Sequence, residues 1–392
     1  MAKLQNPFYK SKLECPVCKA VNEFDVIRQG AFTESGRDTD FMPIGREWTN
    51  PAYQKYNPLA FFIASCKRCY YSREFNASYK EWNSDTNFKS YKLPSQAKKH
   101  LDELNSDTSI LAKLGRKIDL KNSPFEAAVT KLLLAIYDEK LMDRPASLDI
   151  ARYFLRIAWL YREKGDKTDG GDPAEMLLSS IQIEINRLKN DISGFADHLP
   201  PLQGSITRDF EQVLKPDEQN DITAKLKNAV ENVQRVWMDL DGDVEKLQTV
   251  FDQVKKEINL VRTEITGKTG KIKLVDFREF LYSIKEKMAE VPVNEIEALS
   301  LALEYYLKAY QSSREIKAGL QQLQAAYLIA ELSRRINSMS QAGEYFKNAS
   351  KMAQDLMIKN RNDKTIFSNA QKIFEMSLEQ GRIVRRAVKV KA

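Results

Sequence analysis

Cys15-Pro-Val-Cys18 and Cys66-Lys-Arg-Cys69 hold all four cysteines of the 392-residue chain. They form two Cys-x-x-Cys pairs separated by forty-seven residues. Each pair can supply half of a tetrahedral thiolate site, so Cys15, Cys18, Cys66 and Cys69 are expected to bind a structural Zn2+ in a zinc-ribbon-like module. The competing readings are two redox pairs and chance placement. Chance rarely matches all four cysteines into pairs, and a thioredoxin-like pair would open a helix after a strand. Cys15-Pro-Val-Cys18 sits instead in a short polar lead-in.

The composition is that of an ordinary soluble chain, 43% hydrophobic and 29% charged. Its length predicts two or three domains. No run of eighteen apolar residues appears, so no membrane span is expected. The polar stretch Met1 to Lys12 does not read as a secretory signal, and paired thiols without further cysteines suit a reducing cytoplasm. A net charge of +7 is mild for this length and selects neither nucleic acid nor an acidic partner. The two histidines, His100 and His198, leave little room for a histidine-based active site.

Residues 1 to 95 read as the four-cysteine α+β module. Val21 to Arg28 partly alternates and predicts a strand. Asn57 to Ser65 is expected to run as a strand into the second pair, followed by Tyr70 and Tyr71. Lys19, Lys67, Arg68 and Arg73 would soften the charge of a four-thiolate site. Asp38 and Asp40 lie two residues apart between the pairs. Without a histidine or third carboxylate nearby, they read as turn residues that cap amides and pair with Arg37 or Arg46.

The order Cys-Pro-x-Cys, then Arg37-Asp38-Thr39-Asp40-Phe41, Asn57-Pro58-Leu59 and Cys66-Lys-Arg-Cys69-Tyr70 resembles the DUF2225 family of uncharacterised bacterial cytoplasmic proteins. The resemblance is strongest over residues 13 to 75. It implies a four-cysteine module ahead of a helical region and carries no reaction with it. Many members place a glycine near the second pair where this chain has Arg68. A left-handed turn there would strain an arginine.

Residues 96 to 122 read as a linker with a docking helix. From Ser123-Pro124, a cap residue followed by proline, an all-α region begins. Residues 123 to 173 and 291 to 380 are expected to form two parts of a tetratricopeptide-like repeat domain. The clearest unit pairs Ala325 to Leu332 with Ala342 to Ala349. Small residues at Ala326, Ala330, Ala342 and Ala349 would allow close approach, and Tyr327, Leu332, Tyr345 and Phe346 would fill between the helices.

Residues 174 to 290 read as a coiled-coil insertion. From Leu226 to Ile265 apolar residues recur at 4, 3, 4, 3 spacing. The forty-four residues from Ile222 to Ile265 would make a rod of roughly 65 Å. Ala174 to Phe195 and Phe277, Leu281, Ile284 and Met288 offer partners for the seam. An intramolecular antiparallel arm is therefore favoured over homo-oligomerisation. The aspartates of Asp166 to Asp172 lack the closing glutamate of a calcium loop and read as a turn. Residues 381 to 392 form a basic tail with five positive charges, expected to be a solvated end.

No phosphate-loop, dinucleotide-binding, zinc-protease or nucleophile-elbow motif is present. Four thiolate ligands would leave zinc no open position, so the metal reads as structural and the protein as non-enzymatic. The favoured function is an adaptor or scaffold that binds protein partners through the repeats and the arm. The alternative is a nucleic-acid-binding zinc ribbon using Arg68, Tyr70, Tyr71 and Arg73. A redox role for the cysteine pairs is the third reading.

Overall fold

The computed structural model describes residues 6–164, 272–312 and 314–391, with scattered positions between 228 and 260. It divides into two units, Met1–Gly170 with Lys273–Ala392, and Gly171–Ile272. In the second unit every described position between 228 and 260 is helical. The seam partners Ala174 to Phe195 and the turn at Asp166 to Asp172 lie outside the described residues.

The first unit opens with three antiparallel hairpins. β1 (Phe8–Glu14) pairs with β2 (Val21–Ile27), from Phe8 opposite Ile27 to Glu14 opposite Val21. β3 (Phe32–Arg37) pairs with β4 (Pro43–Trp48), and β5 (Ile63–Ser65) with β6 (Ser72–Glu74). Two-stranded ribbons are marginal alone, and here aromatic side chains hold them together. The Phe8 ring lies 4.5 Å from that of Phe61 and 5.7 Å from that of Trp48. Trp48 is buried and donates its indole N–H to the Tyr56 carbonyl at 2.9 Å.

The strand expected over Asn57 to Ser65 is confined to its last three residues. Asn57 caps the Leu59 amide at 2.8 Å, and Pro58–Phe61 turns as a short 3-10 helix. Proline supplies a fixed φ and no donor there, which suits the first position of a helical turn and not a strand interior.

The rest of the unit is helical. α1 (Leu93–Leu104) and α2 (Ile110–Arg116) lead into α3 (Pro124–Lys140) and α4 (Ser147–Glu163). After the second unit come α5 (Ile272–Lys285), α6 (Glu295–Gln311), α7 (Leu320–Arg335), α8 (Met339–Lys359) and α9 (Lys364–Lys391). α4 packs on α6 across the insertion, and each helix from α6 to α9 packs on the next. One apolar core spans α2 to α6 and reaches α7.

Three expectations change here. Residues 96 to 122 are part of the fold, since α1 and α2 bury Gln96, His100, Leu111 and Leu114. Phe277, Leu281, Ile284 and Met288 belong to the helical core and not to a seam, with Phe277 meeting Phe125 at 6.2 Å. The basic tail continues α9, and Val384 is buried in the cluster that holds Phe346 and Ala349 of α8. A core-facing helix and a coiled-coil strand share the same 3–4 spacing over two or three turns, so spacing alone could not separate them.

The pairing of α7 with α8 follows the small residues. Ala326, Ala330, Ala342 and Ala349 are all fully buried, and the Tyr327 and Phe346 rings meet edge to face at 5.9 Å. Alanines at the contact let the helix axes approach and leave room for those two rings.

Candidate metal centre and its connections

The β1–β2 and β5–β6 hairpins carry the cysteine pairs at their tips, and the two tips repeat one backbone design. The Cys15 carbonyl accepts from the Lys19 amide and the Cys15 amide donates to the Ala20 carbonyl, at 3.1 and 2.9 Å. The Cys66 carbonyl accepts from the Tyr70 amide and the Cys66 amide donates to the Tyr71 carbonyl, both at 2.9 Å. Closing these turns puts Lys19 and Tyr70 in the left-handed region, at φ 60° and 65°. The strained position thus follows the second cysteine of each pair, and Arg68 escapes it.

The four sulfurs lie within 4.8 Å of one another, with Cys15–Cys69 and Cys18–Cys66 both at 3.6 Å. A tetrahedron with metal–sulfur distances of about 2.3 Å has sulfur–sulfur edges of about 3.8 Å. A disulfide would need about 2.05 Å. All four cysteines are free, and Cys15, Cys66 and Cys69 are buried. The predicted ligands therefore converge as a set that could hold a metal ion.

Polar groups support the Cys66 sulfur. The Asn22 side-chain amide donates to it at 3.3 Å and the Arg68 backbone N–H at 3.4 Å. Asn22 also accepts from the Lys67 amide at 2.9 Å, fixing the first hairpin to the second knuckle. Four crowded thiols cannot all ionise without a cation. The hydrogen bond with Cys66 pushes the Cys15 thiol up to about 12, while hydrogen bonds from Cys15 and Cys69 hold Cys66 well down. A bound dication would remove that conflict, because thiolate ligands share its charge.

A buried chain of polar groups ties the second knuckle to α1 and α3. His100 bridges the Cys69 carbonyl, 2.9 Å from Nε2, and the Asp138 carboxylate, 2.5 Å from Nδ1. Asp138 also accepts from the Ser72 amide at 2.7 Å. Tyr71 donates its hydroxyl to Gln96, which donates to the Asp138 carbonyl, at 3.0 and 2.6 Å. His100, Asp138, Gln96 and Tyr71 are all fully buried. Burial works against the His100 imidazolium, but the Asp138 carboxylate prevails and raises its pKa. Burial raises that of Asp138. Sequence reasoning missed this network. Its one available signal was a histidine on the apolar side of a short amphipathic helix.

The aromatic side chains offered for nucleic-acid contact are committed inside. Tyr71 is sealed in the polar chain, and Tyr70 lies against Gly115 of α2. The Arg73 guanidinium lies 4.0 Å from the centre of the Phe88 ring. Lys67 and Arg68 remain exposed.

The third hairpin tip carries Asp38 and Asp40, and they reach helices rather than Arg37 or Arg46. Asp40 is fully buried. Arg162 of α4 donates to both its oxygens, at 3.1 and 2.8 Å, and Trp159 donates at 3.2 Å. Asp38 meets Arg162 and Arg335, each at 2.9 Å. Burial opposes ionisation of Asp38, but the Arg335 charge outweighs it and lowers its pKa. Glu295 closes on Arg162 at 2.6 Å, and Glu331 holds both Arg334 and Arg335. Between the aspartates, Thr39 donates to Glu331 at 2.6 Å, and its carbonyl accepts from Tyr327 at 2.8 Å. Every carboxylate of the cluster is matched by guanidinium, so it joins the hairpin to the helical stack and offers no vacant acid–base pair.

Among the described residues no helix is long and apolar enough to cross a membrane. The chain matches a family described as an uncharacterized protein conserved in bacteria, DUF2225, over residues 8–187 and 260–379, and belongs to that family. The interruption of the match, 188–259, falls within the second unit. No curated protein and no solved structure matches the chain.

Proposed function

We propose that the protein is a non-catalytic scaffold of the bacterial cytoplasm whose hairpin module is locked by one structural Zn2+. The observation that carries the metal assignment is the closed set of four sulfurs, within 4.8 Å of one another at the tips of two matched knuckles. Cys15, Cys18, Cys66 and Cys69 would hold the ion, which supplies cross-linking charge and no open coordination position. Tetratricopeptide-like packing of α6 to α9 would present a surface for protein partners. The segment from Ile222 to Ile265 would act as a coiled-coil arm.

Elemental analysis of protein purified without added metal tests the ion. One zinc per chain is expected, lost on Cys66→Ser. Metal-free protein with reversible disulfides would replace this reading with a redox one. Affinity capture of tagged protein from its native host, with crosslinking mass spectrometry, tests the scaffold. Reproducible crosslinks to one protein support it. Recovery of nuclease-sensitive material through Lys67 and Arg68, with no stoichiometric protein, would overturn it.

A further inference from the structure

A groove of about 320 Å³ lies where the end of β3 meets α4, α6, α7 and α9. That is within the size range of ligand-binding clefts, roughly 300–1,000 Å³. Three cations reach it from three elements: Arg37, Arg152 and Lys372. Among the described residues no aspartate or glutamate lines it. Arg152 is partly engaged by Asp149 at 3.2 Å, in an exposed pair. Arg37 and Lys372 are exposed and make no ion pair among the described residues. Elsewhere in this unit the aspartates of the third hairpin are matched by arginines, so two unpaired cations beside a third held only by an exposed carboxylate stand apart from that pattern.

The remaining lining narrows the class of ligand. Phe41, Ala325, Leu328 and Ile373 give it an apolar wall. Gln321, Gln324 and Asn369 add amides. Gln321 accepts from the Lys317 amide through its oxygen, leaving its N–H donors. Asn369 donates to the Thr365 carbonyl, leaving its oxygen as an acceptor. A phosphate or other small anion needs donors alone, whereas a peptide backbone needs both donors and acceptors.

We propose that this groove binds an extended acidic peptide segment of a partner protein, with carboxylates on Arg37, Arg152 and Lys372 and an apolar side chain on the Phe41–Ile373 wall. The proposal rests on the scaffold reading and assigns it a contact surface. The charges set selectivity and the apolar wall contributes the buried area.

The test is fluorescence anisotropy of the full-length protein with a panel of labelled octapeptides. One set places glutamate and leucine at every spacing, and a matched set replaces glutamate by lysine. Glutamate peptides should bind and lysine peptides should not. Arg37→Glu with Lys372→Glu should weaken binding at least about tenfold, and Arg37→Gln with Lys372→Gln by less. Both side chains are exposed and unpaired, so the fold should survive, as circular dichroism would verify. Failure of every glutamate peptide, or equal binding by the charge-reversed protein, overturns the groove. Binding of a single-stranded oligonucleotide that competes with the peptides and is lost in the variant also overturns it. Host capture that crosslinks the same partners to wild type and variant overturns the groove while leaving the scaffold standing.

Discussion

Asp40→Asn removes one negative charge from a site that water does not reach. The Asp40 side chain is fully buried, and that of its partner Arg162 is 12% exposed. Asparagine keeps the shape and one acceptor for Trp159 or Met42, but Arg162 is left with Glu295 and a partly exposed Asp38. Breaking a buried ion pair from one side costs about 3–5 kcal/mol. The retained acceptor and remaining carboxylates place this case near about 3 kcal/mol. For a unit of this size each kcal/mol moves the midpoint by about 2–4 °C, so a fall of about 6–12 °C is expected. Asp38→Asn is the internal control. Asp38 is 32% exposed, and its partner Arg335 also holds Glu331. The cost there should stay below about 1 kcal/mol, less than about 4 °C. Scanning calorimetry of the two variants decides the matter. If Asp40→Asn melts no lower than Asp38→Asn, burial does not govern this cluster and the argument fails.

Asn22→Ala removes the amide that donates to Cys66 and orders Lys67. Metal affinity should drop about 10–100-fold in chelator competition, and an unchanged affinity would discount the support. Gly115→Ala would place a methyl group 2.1 Å from the Tyr70 ring. Displacing that ring should cost about 1–3 kcal/mol, against a helix-propensity gain of about 1 kcal/mol, and should speed metal extraction. Unaltered melting and extraction would show that Tyr70 is not pinned there. Lys131 donates to the Ala60 carbonyl, and burial lowers its pKa to about 8. Between that value and the unfolded value of about 10.4 the unfolded chain binds more protons, so stability rises with pH. Wild type should therefore gain on Lys131→Met as pH rises from about 8 to about 10, and a pH-independent difference between their melting points would refute this.

The cysteine set was legible because its chemistry is local to two short turns, and matched spacing is enough to pair them. Ser123-Pro124 marked the start of α3, and the small residues near Ala326 and Ala342 marked the α7–α8 contact, because caps and packing residues act within a few turns. What was not legible depends on distance along the chain. Asp38 and Asp40 find Arg162 and Arg335 on remote helices, and no pattern around the aspartates announces them. His100 looked like part of a linker because the surrounding stretch reads as polar and broken by Pro94 and Pro124, yet a buried polar chain ties that helix to the second knuckle and α3. Tyr70 and Tyr71 read as aromatics that help the metal replace a core, with base contact as the alternative, and Tyr71 does lie in the buried cluster around the cysteines. Their neighbours in space are Gly115 and Gln96, which the sequence does not place beside them.

The packing of α4 on α6 has a consequence for synthesis on the ribosome. The apolar face of α4 is complete once Glu163 emerges, but α6 ends only at Gln311. At about 5–20 residues per second that face waits roughly 7–30 seconds for its cover. Asp38 waits with it, since Arg162 arrives early but Arg335 comes late. The hairpin module can take up metal and close during that interval, while the helical stack cannot. Nascent chains stalled between Glu163 and Glu295 should therefore be the forms most dependent on chaperones, and the two-unit layout of the finished protein makes a timing problem of its own translation.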